Sequence, residues 1–206
     1  YEPESGTIDY RIVTDAAHSG GCFHLISGVL SARHMEILGA EITTTQNNTV
    51  VDVFHVIDPN FSGEVPEARI EEVSQSIKDV LGGKLTVEEL YCRHKRFTPA
   101  GTQAIVADLP LRVEVDDETS DRCTVISVFA HDQPGLLYTI TRTLYQLGLS
   151  IELAKIATHF DQVADIFYVT DNDARKVDSP EQQRVIQNRL MQELEAFEAS
   201  NHRAFV

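Results

Sequence analysis

Cysteine is scarce in this chain: three residues in 206, Cys22, Cys92 and Cys123, odd in number, far apart and never as CxxC. That excludes a disulfide framework and a cysteine zinc site, and it fits free thiols in a reducing cytosol. Basic residues are also few. Lys and Arg number 17 against 32 Asp and Glu, for a net charge of −15. A binder of phosphate backbones concentrates Lys and Arg, and the one dense cluster here, Arg93-His94-Lys95-Arg96, reads as a solvated linker. Nucleic acid is therefore not an expected partner. No apolar run approaches the roughly 20 residues of a spanning helix, so no membrane segment is expected either. The first residues, Tyr1 to Gly6, have neither a basic region nor an apolar stretch, so no signal peptide is visible. With no initiator Met, the chain is expected to be a piece of a longer cytoplasmic protein. A glycine-rich phosphate loop with Lys is missing, as is an acidic pair in a nucleotidyltransferase setting. The chain itself is therefore expected to be non-catalytic.

What is present is an ordinary globular composition, 42% hydrophobic and 24% charged, and an internal repeat. Laying Gly21 on Gly135, an offset of 114, brings Ile12 onto Ile126, Ala16 onto Ala130 and Ile26 onto Ile140. Leu30 then falls on Leu144, and Ala40-Glu41-Ile42 on Ala154-Lys155-Ile156. After one change of turn length, at Gln46-Asn47-Asn48, the offset becomes 113 and Asp52 to Asp58 falls on Asp165 to Asp171. The chain is a duplication.

The periods within the unit give its elements. Cys123 to Ala130 is short, β-branched and aromatic and ends at Asp132-Gln133-Pro134-Gly135, the mark of a strand. Leu137, Ile140, Leu144 and Leu147 then recur at helical spacing, with Asp132 or Gln133 as a possible cap and Gly148 as a left-handed stop. His34 takes the matching stop in copy one. Ile151 to Thr158 and Val163 to Thr170 form a hairpin across His159-Phe160-Asp161-Gln162. A second helix follows, through Ile70 to Leu81 in copy one, stopped by Gly82-Gly83, and through Val185 to Phe197 in copy two. This β-α-β-β-α order lacks one strand of the split βαβ pattern. Leu85 to Leu90 is a candidate for that strand in copy one, and Leu111 to Val115, pairing back from upstream, in copy two. The expected layout is a first domain at 7–90, a linker at 91–110 and a second domain at 111–206.

Chemistry is expected in the loop after each copy's first strand. Pro134 fixes a turn and Gly135 lets backbone approach a ligand closely. The N–H groups of Gly135, Leu136 and Leu137 open a helix whose dipole favours a carboxylate. Asp132 is placed to accept an ammonium group, so the loop suits a zwitterionic amino acid. The same D-x-P-G turn also serves as a plain fold element with no ligand. Copy one reads His18-Ser19-Gly20-Gly21-Cys22-Phe23 and keeps the glycine but neither the acid nor the proline. His131-Asp132 is an HD dipeptide without companion histidines, so it is not a metal site. His18, His24 and His34 read as surface or core residues. Cys22, though near a helix N-terminus, has no partner constellation for a nucleophile. Asp52 and Asp165, recurring at strand starts, fit a role in hairpin geometry or between copies better than a functional one.

The strings D-Q-P-G-L-L, G-L-S-I…A-K-I and D-I-F-Y-V-T-D, with Asp117 to Arg122 before them, resemble the ACT domain, a small amino-acid-sensing module. More specifically, they resemble the C-terminal ACT pair of the bacterial PII uridylyltransferase/uridylyl-removing enzyme family. The resemblance implies two ferredoxin-like βαββαβ modules in tandem, an α+β fold with antiparallel sheets and helices on one face. It implies a glutamine ligand held by Asp132, Gln133, Gly135, Leu136 and Leu137, with Ser150 and Ile151 contributed across a pair of copies. The corresponding set in copy one, His18, Gly21, Cys22, Glu36 and Ile37, is weaker and serves as the wall of one shared site. No cofactor is expected in this chain, while the parent enzyme would use Mg and UTP. Partners implied are the upstream catalytic domains, the PII protein through the parent, and a possible homo-oligomer. The alternative reading is a free-standing ACT-repeat protein that acts as an interaction or oligomerisation module without a small ligand.

Overall fold

Copy one begins with a strand, β1 (Ile8–Asp15), that runs into α1 (Cys22–Ala32), β2 (Glu36–Thr44), β3 (Thr49–Ile57) and α2 (Glu67–Leu81). A computed structural model describes residues 6–15, 21–44, 49–61, 63–94, 111–159 and 162–203. The chain parts into two compact units, residues 1–95 and 96–206, each built on its own core. In unit 1, β3 lies between β1 and β2 and is antiparallel to both. Its buried residues alternate, Val50, Asp52, Phe54 and Val56, as a strand with one covered face requires. Phe23 of α1 stacks on Phe54 with ring centroids 4.9 Å apart, so the covered face is the one turned to α1.

Unit 2 repeats the plan as β5 (Thr124–His131), α4 (Leu136–Gln146), β6 (Ser150–Lys155), β8 (Gln162–Thr170) and α5 (Pro180–Arg203). Here β8 lies between β5 and β6, again antiparallel to both. The short β7 (Thr158–His159) resumes the hairpin with β8 after β6 ends. Ile140 and Leu144 of α4, with Leu190 and Leu194 of α5, are each one helical turn apart and fully buried. Both copies carry a break of register early in the strand after the first helix, between Ile37 and Gly39 and between Ile151 and Leu153. The duplication thus extends to a β-bulge, which bends the strand in the same place. The α+β tandem fold is as expected, with His34 (φ 61°) and Gly148 (φ 73°) both left-handed at the matching helix stops.

The missing fourth strand divides differently between the units. Arg112 to Asp116 forms β4, which pairs antiparallel with β5, so the upstream segment of copy two does pair back. In copy one, Leu85 to Leu90 is not a strand. Thr86 caps a short helix, α3 (Val87–Arg93), through a reciprocal capping box with Glu89. The T-x-x-E pattern satisfies two N–H groups at a helix start, and Val87 and Leu90, three apart, bury together. Local capping chemistry outweighed the apolar run. The turn at 46–48, the tip of the second hairpin at Phe160-Asp161 and most of the 91–110 linker lie outside the described residues.

At the start of α4 the N-cap position falls on neither Asp132 nor Gln133. Gly135 holds the N-cap position at φ 94°, ψ −4°, with no side-chain cap bond. Leu136 N–H donates to the Gln133 carbonyl at 3.0 Å. With glycine left-handed at its third position, Gln133-Pro134-Gly135-Leu136 is a type II turn, which is why Pro and Gly stand where they do. An L side chain at that φ costs about 1–2 kcal/mol. Gly135→Ala is therefore expected to lower the unfolding free energy of unit 2 by that amount, read as a lower urea midpoint with unchanged slope. An unchanged midpoint would mean that the turn relaxes without strain.

Candidate functional site

The loop between β5 and α4 presents exposed Asp132 and Pro134, half-buried Gln133 and Gly135, and then Leu136, which is buried, and Leu137, which is partly so. Leu136 N–H is already taken by Gln133, so this donor is not offered to a ligand as the sequence suggests. The Gly135 carbonyl accepts from Thr139 N–H at 2.9 Å and from its hydroxyl at 3.0 Å, fixing the first turn. No acidic side chain stands in that first turn, so the positive end of the helix dipole has no internal counter-charge on α4 itself.

Beneath this loop lies a second acid, Asp165. Asp165 is the fourth residue of β8, not its start, and it pairs with Val128 of β5. Val163, Asp165, Phe167 and Val169 alternate on the buried face, and Asp165 is 1% exposed. One carboxyl oxygen takes the Ala157 N–H, while Oδ1 has no hydrogen-bond partner among the described residues. Burial, helped by the nearby charge of Asp132, pushes its pKa up to about 7 against the bond from Ala157. Asp132 is thus close enough to act on Asp165, which places the buried acid at the loop end of the sheet.

Copy one holds the same arrangement. Asp52, also fourth in its strand, is 3% exposed, and burial raises its pKa to about 6. The thiol of Cys22, the first residue of α1, is raised by burial and by the charge of Asp52. Asp52 therefore lies under the start of α1, on the face that Phe54 turns to that helix. Gly21 is left-handed at φ 84° in the N-cap position, as Gly135 is. The signal for both acids was in the sequence. A carboxylate occupies an inward position of an otherwise apolar alternation, in both copies.

Other expected site residues are less well gathered. Ser150 is exposed and pairs with Thr170, and Ile151 pairs with Val169. The loop leaves β5 beside Gln162, at the opposite end of β8. Within unit 2, then, Ser150 and Ile151 do not join Asp132 to Leu137 in one site. Glu36 is exposed and Ile37 buried at the start of β2, again at the end of their strand pair away from Gly21 and Cys22. His18 lies outside the described residues. Among the described residues, no helix is long and apolar enough to cross a membrane.

Comparison with known proteins places this geometry. Residues 112–197 match the family described as an ACR9-like, ACT-like domain. A bifunctional uridylyltransferase/uridylyl-removing enzyme of Rhodospirillum rubrum is 32% identical over 199 residues, covering 97% of this chain and 20% of the relative. The enzyme of that name from Azospirillum brasilense is 36% identical over 175 residues, 84% of this chain and 18% of its own length. That of Novosphingobium aromaticivorans is 34% identical over 180 residues, covering 87% and 19%. The chain spans about one fifth of the length of these curated relatives. With two βαββα units and a match that runs through both, the chain belongs to the ACT-domain family, as the tandem ACT region of the bifunctional uridylyltransferase/uridylyl-removing enzymes.

Proposed function

We propose that the chain is the glutamine-sensing regulatory region of a PII uridylyltransferase/uridylyl-removing enzyme, and that its ligand binds at the β5–α4 loop. The similarity across nearly the whole chain to enzymes of that name supports the parent. The single observation that supports the ligand site is the left-handed Gly135 turn opening α4 above a buried acid. A helix start attracts a carboxylate and a nearby acid attracts an ammonium group, the two charges of an amino acid. Glutamine is the nitrogen-status signal suited to such a parent. Bound glutamine would favour uridylyl removal from PII, and low glutamine would favour uridylylation. The parent's catalytic domains, with Mg and UTP, carry out that chemistry in the cytoplasm. Regulation requires only that glutamine bind one conformation better than another.

The test is calorimetry of the 206-residue chain with each of the twenty amino acids at millimolar concentration. Glutamine is expected to give a saturable heat well above those of the other amino acids. A flat response to every amino acid would overturn the sensing role, and a preference for another amino acid would overturn glutamine.

A further inference from the structure

We propose that Asp165, rather than Asp132, receives the ammonium group of the amino acid bound at α4, as the main charged contact within unit 2. The inference rests on the sensing role above and assigns its contact. Asp132 is exposed, so its charge is already solvated and gains little from a ligand. Asp165 is 1% exposed, has one oxygen without a partner among the described residues, and sits on the face of β8 turned to the helices. A buried carboxyl with an unfilled acceptor is costly, and a cation supplied by a ligand removes that cost.

Among the described residues, no cation acts on Asp165. β5 contributes Val128 opposite, the β6–β7 connection contributes the Ala157 N–H, and the loop contributes Asp132, whose charge is of the wrong sign. The first turn of α4, Leu136-Leu137-Tyr138-Thr139, carries neither acid nor base. The turn above Asp165 is closed by the backbone hydrogen bond from Leu136 N–H to the Gln133 carbonyl. The duplicated Asp52 beneath α1 shows that the arrangement is a property of the repeat, not an accident of one strand.

The proton follows from this placement. At pH 6 the free protein holds Asp165 largely protonated, since burial raises its pKa to about 7. Binding an ammonium group ionises it: the carboxyl proton leaves to solvent, and the carboxylate pairs with the ligand cation. Bound glutamine therefore releases close to one proton per site at pH 6 and almost none at pH 8. Affinity rises about tenfold between those values as the proton competitor disappears.

The experiment is calorimetry of the whole chain with glutamine, at pH 6 in phosphate and in imidazole, and at pH 8 in phosphate and in Tris. Wild type is expected to show buffer-dependent heat at pH 6 only, with about tenfold tighter binding at pH 8. Asp165→Asn, isosteric with the neutral acid, is expected to weaken binding about 100-fold and to abolish proton release. Asp132→Asn is expected to keep binding within about threefold. It should also reduce proton release at pH 6 slightly, because Asp132 adds a small part to what burial does in raising Asp165. Wild-type affinity in folded Asp165→Asn, or wild-type binding without proton release, would overturn the assignment. Absence of glutamine binding in wild type would instead overturn the sensing role on which it rests.

Discussion

Asp165→Asn is expected to stabilise unit 2 at pH 8 by on the order of 4 kcal/mol, and to leave it nearly unchanged below pH 4. The sign follows from linkage. Burial raises the folded-state pKa to about 7, whereas the unfolded chain titrates near the ordinary aspartate value of about 3.9. Between those values the folded state binds more protons than the unfolded one, so stability falls as pH rises. The contribution of the neutral acid is fully present below pH 4 and is lost by the time pH passes 7. A difference of about three pKa units corresponds to roughly 4 kcal/mol. Asparagine cannot ionise and removes that slope. Denaturant melts of both proteins at pH 4, 6 and 8 measure it; parallel profiles would mean that Asp165 is not held neutral by burial. A residue that costs stability at working pH, yet recurs at the same strand position in both copies, fits a site more readily than a scaffold. Asp52, raised to about 6, adds a smaller slope of the same sign.

Arg69→Ala is expected to destabilise unit 1 by about 3 kcal/mol. The guanidinium Nε donates to Asp58 Oδ2 at 2.8 Å, Nη1 to Glu72 at 3.1 Å, and Nη2 to the Arg33 carbonyl at 2.7 Å. It ties the end of α1, the end of β3 and the first turns of α2 together. The Asp58 side chain is 0% exposed. Burial would raise its pKa, but hydrogen bonds from Arg69 and Asn60, and the charge of Arg69, outweigh this and hold it below the ordinary value. Truncating the arginine leaves a buried carboxylate with Asn60 as its donor among the described residues, which places the loss at the lower end of the range for a broken buried pair. Here the folded-state pKa is depressed. The stabilisation is present above about pH 4 and is lost as pH falls, so the wild-type advantage narrows in acid. Arg69→Lys should recover only part, because one ammonium cannot reproduce the three-way fork. A loss under 1 kcal/mol at pH 7 in urea melts would contradict this account. In copy two the matching Asp171 lies in an exposed turn with Arg175, so no equivalent effect is expected there.

Most of the fold was legible because it rests on local signals. The repeat set the unit, the helical spacing of Leu137, Ile140 and Leu144 set α4, and Gly148 and His34 marked the stops. What was not legible depended on competition between signals. Leu85 to Leu90 carries both an apolar run and a capping box, and the box prevailed. At the loop, D-x-P-G drew attention to the side chain of Asp132, while Pro and Gly build a type II turn that satisfies Leu136 from the Gln133 backbone. Asp132 drew attention because it sits in the motif. Asp165 lies 33 residues on, in a strand whose partner at that position is Val128. Only the register and the burial of β8 bring the two acids together. The separation of Ser150 and Ile151 from the loop likewise follows from strand direction, which a motif does not state.

The central claim is that the start of α4, with the acid beneath it, is where this region meets its ligand. The most direct measurement is a glutamine titration of the isotope-labelled chain, following backbone amide resonances and the Asp165 carboxyl carbon. The account predicts saturable shifts at Asp132 to Thr139 and at Ala157. It also predicts an Asp165 carboxyl carbon that moves from its protonated to its ionised position at pH 6. Saturable shifts elsewhere that leave those amides and that carboxyl carbon unmoved would contradict it.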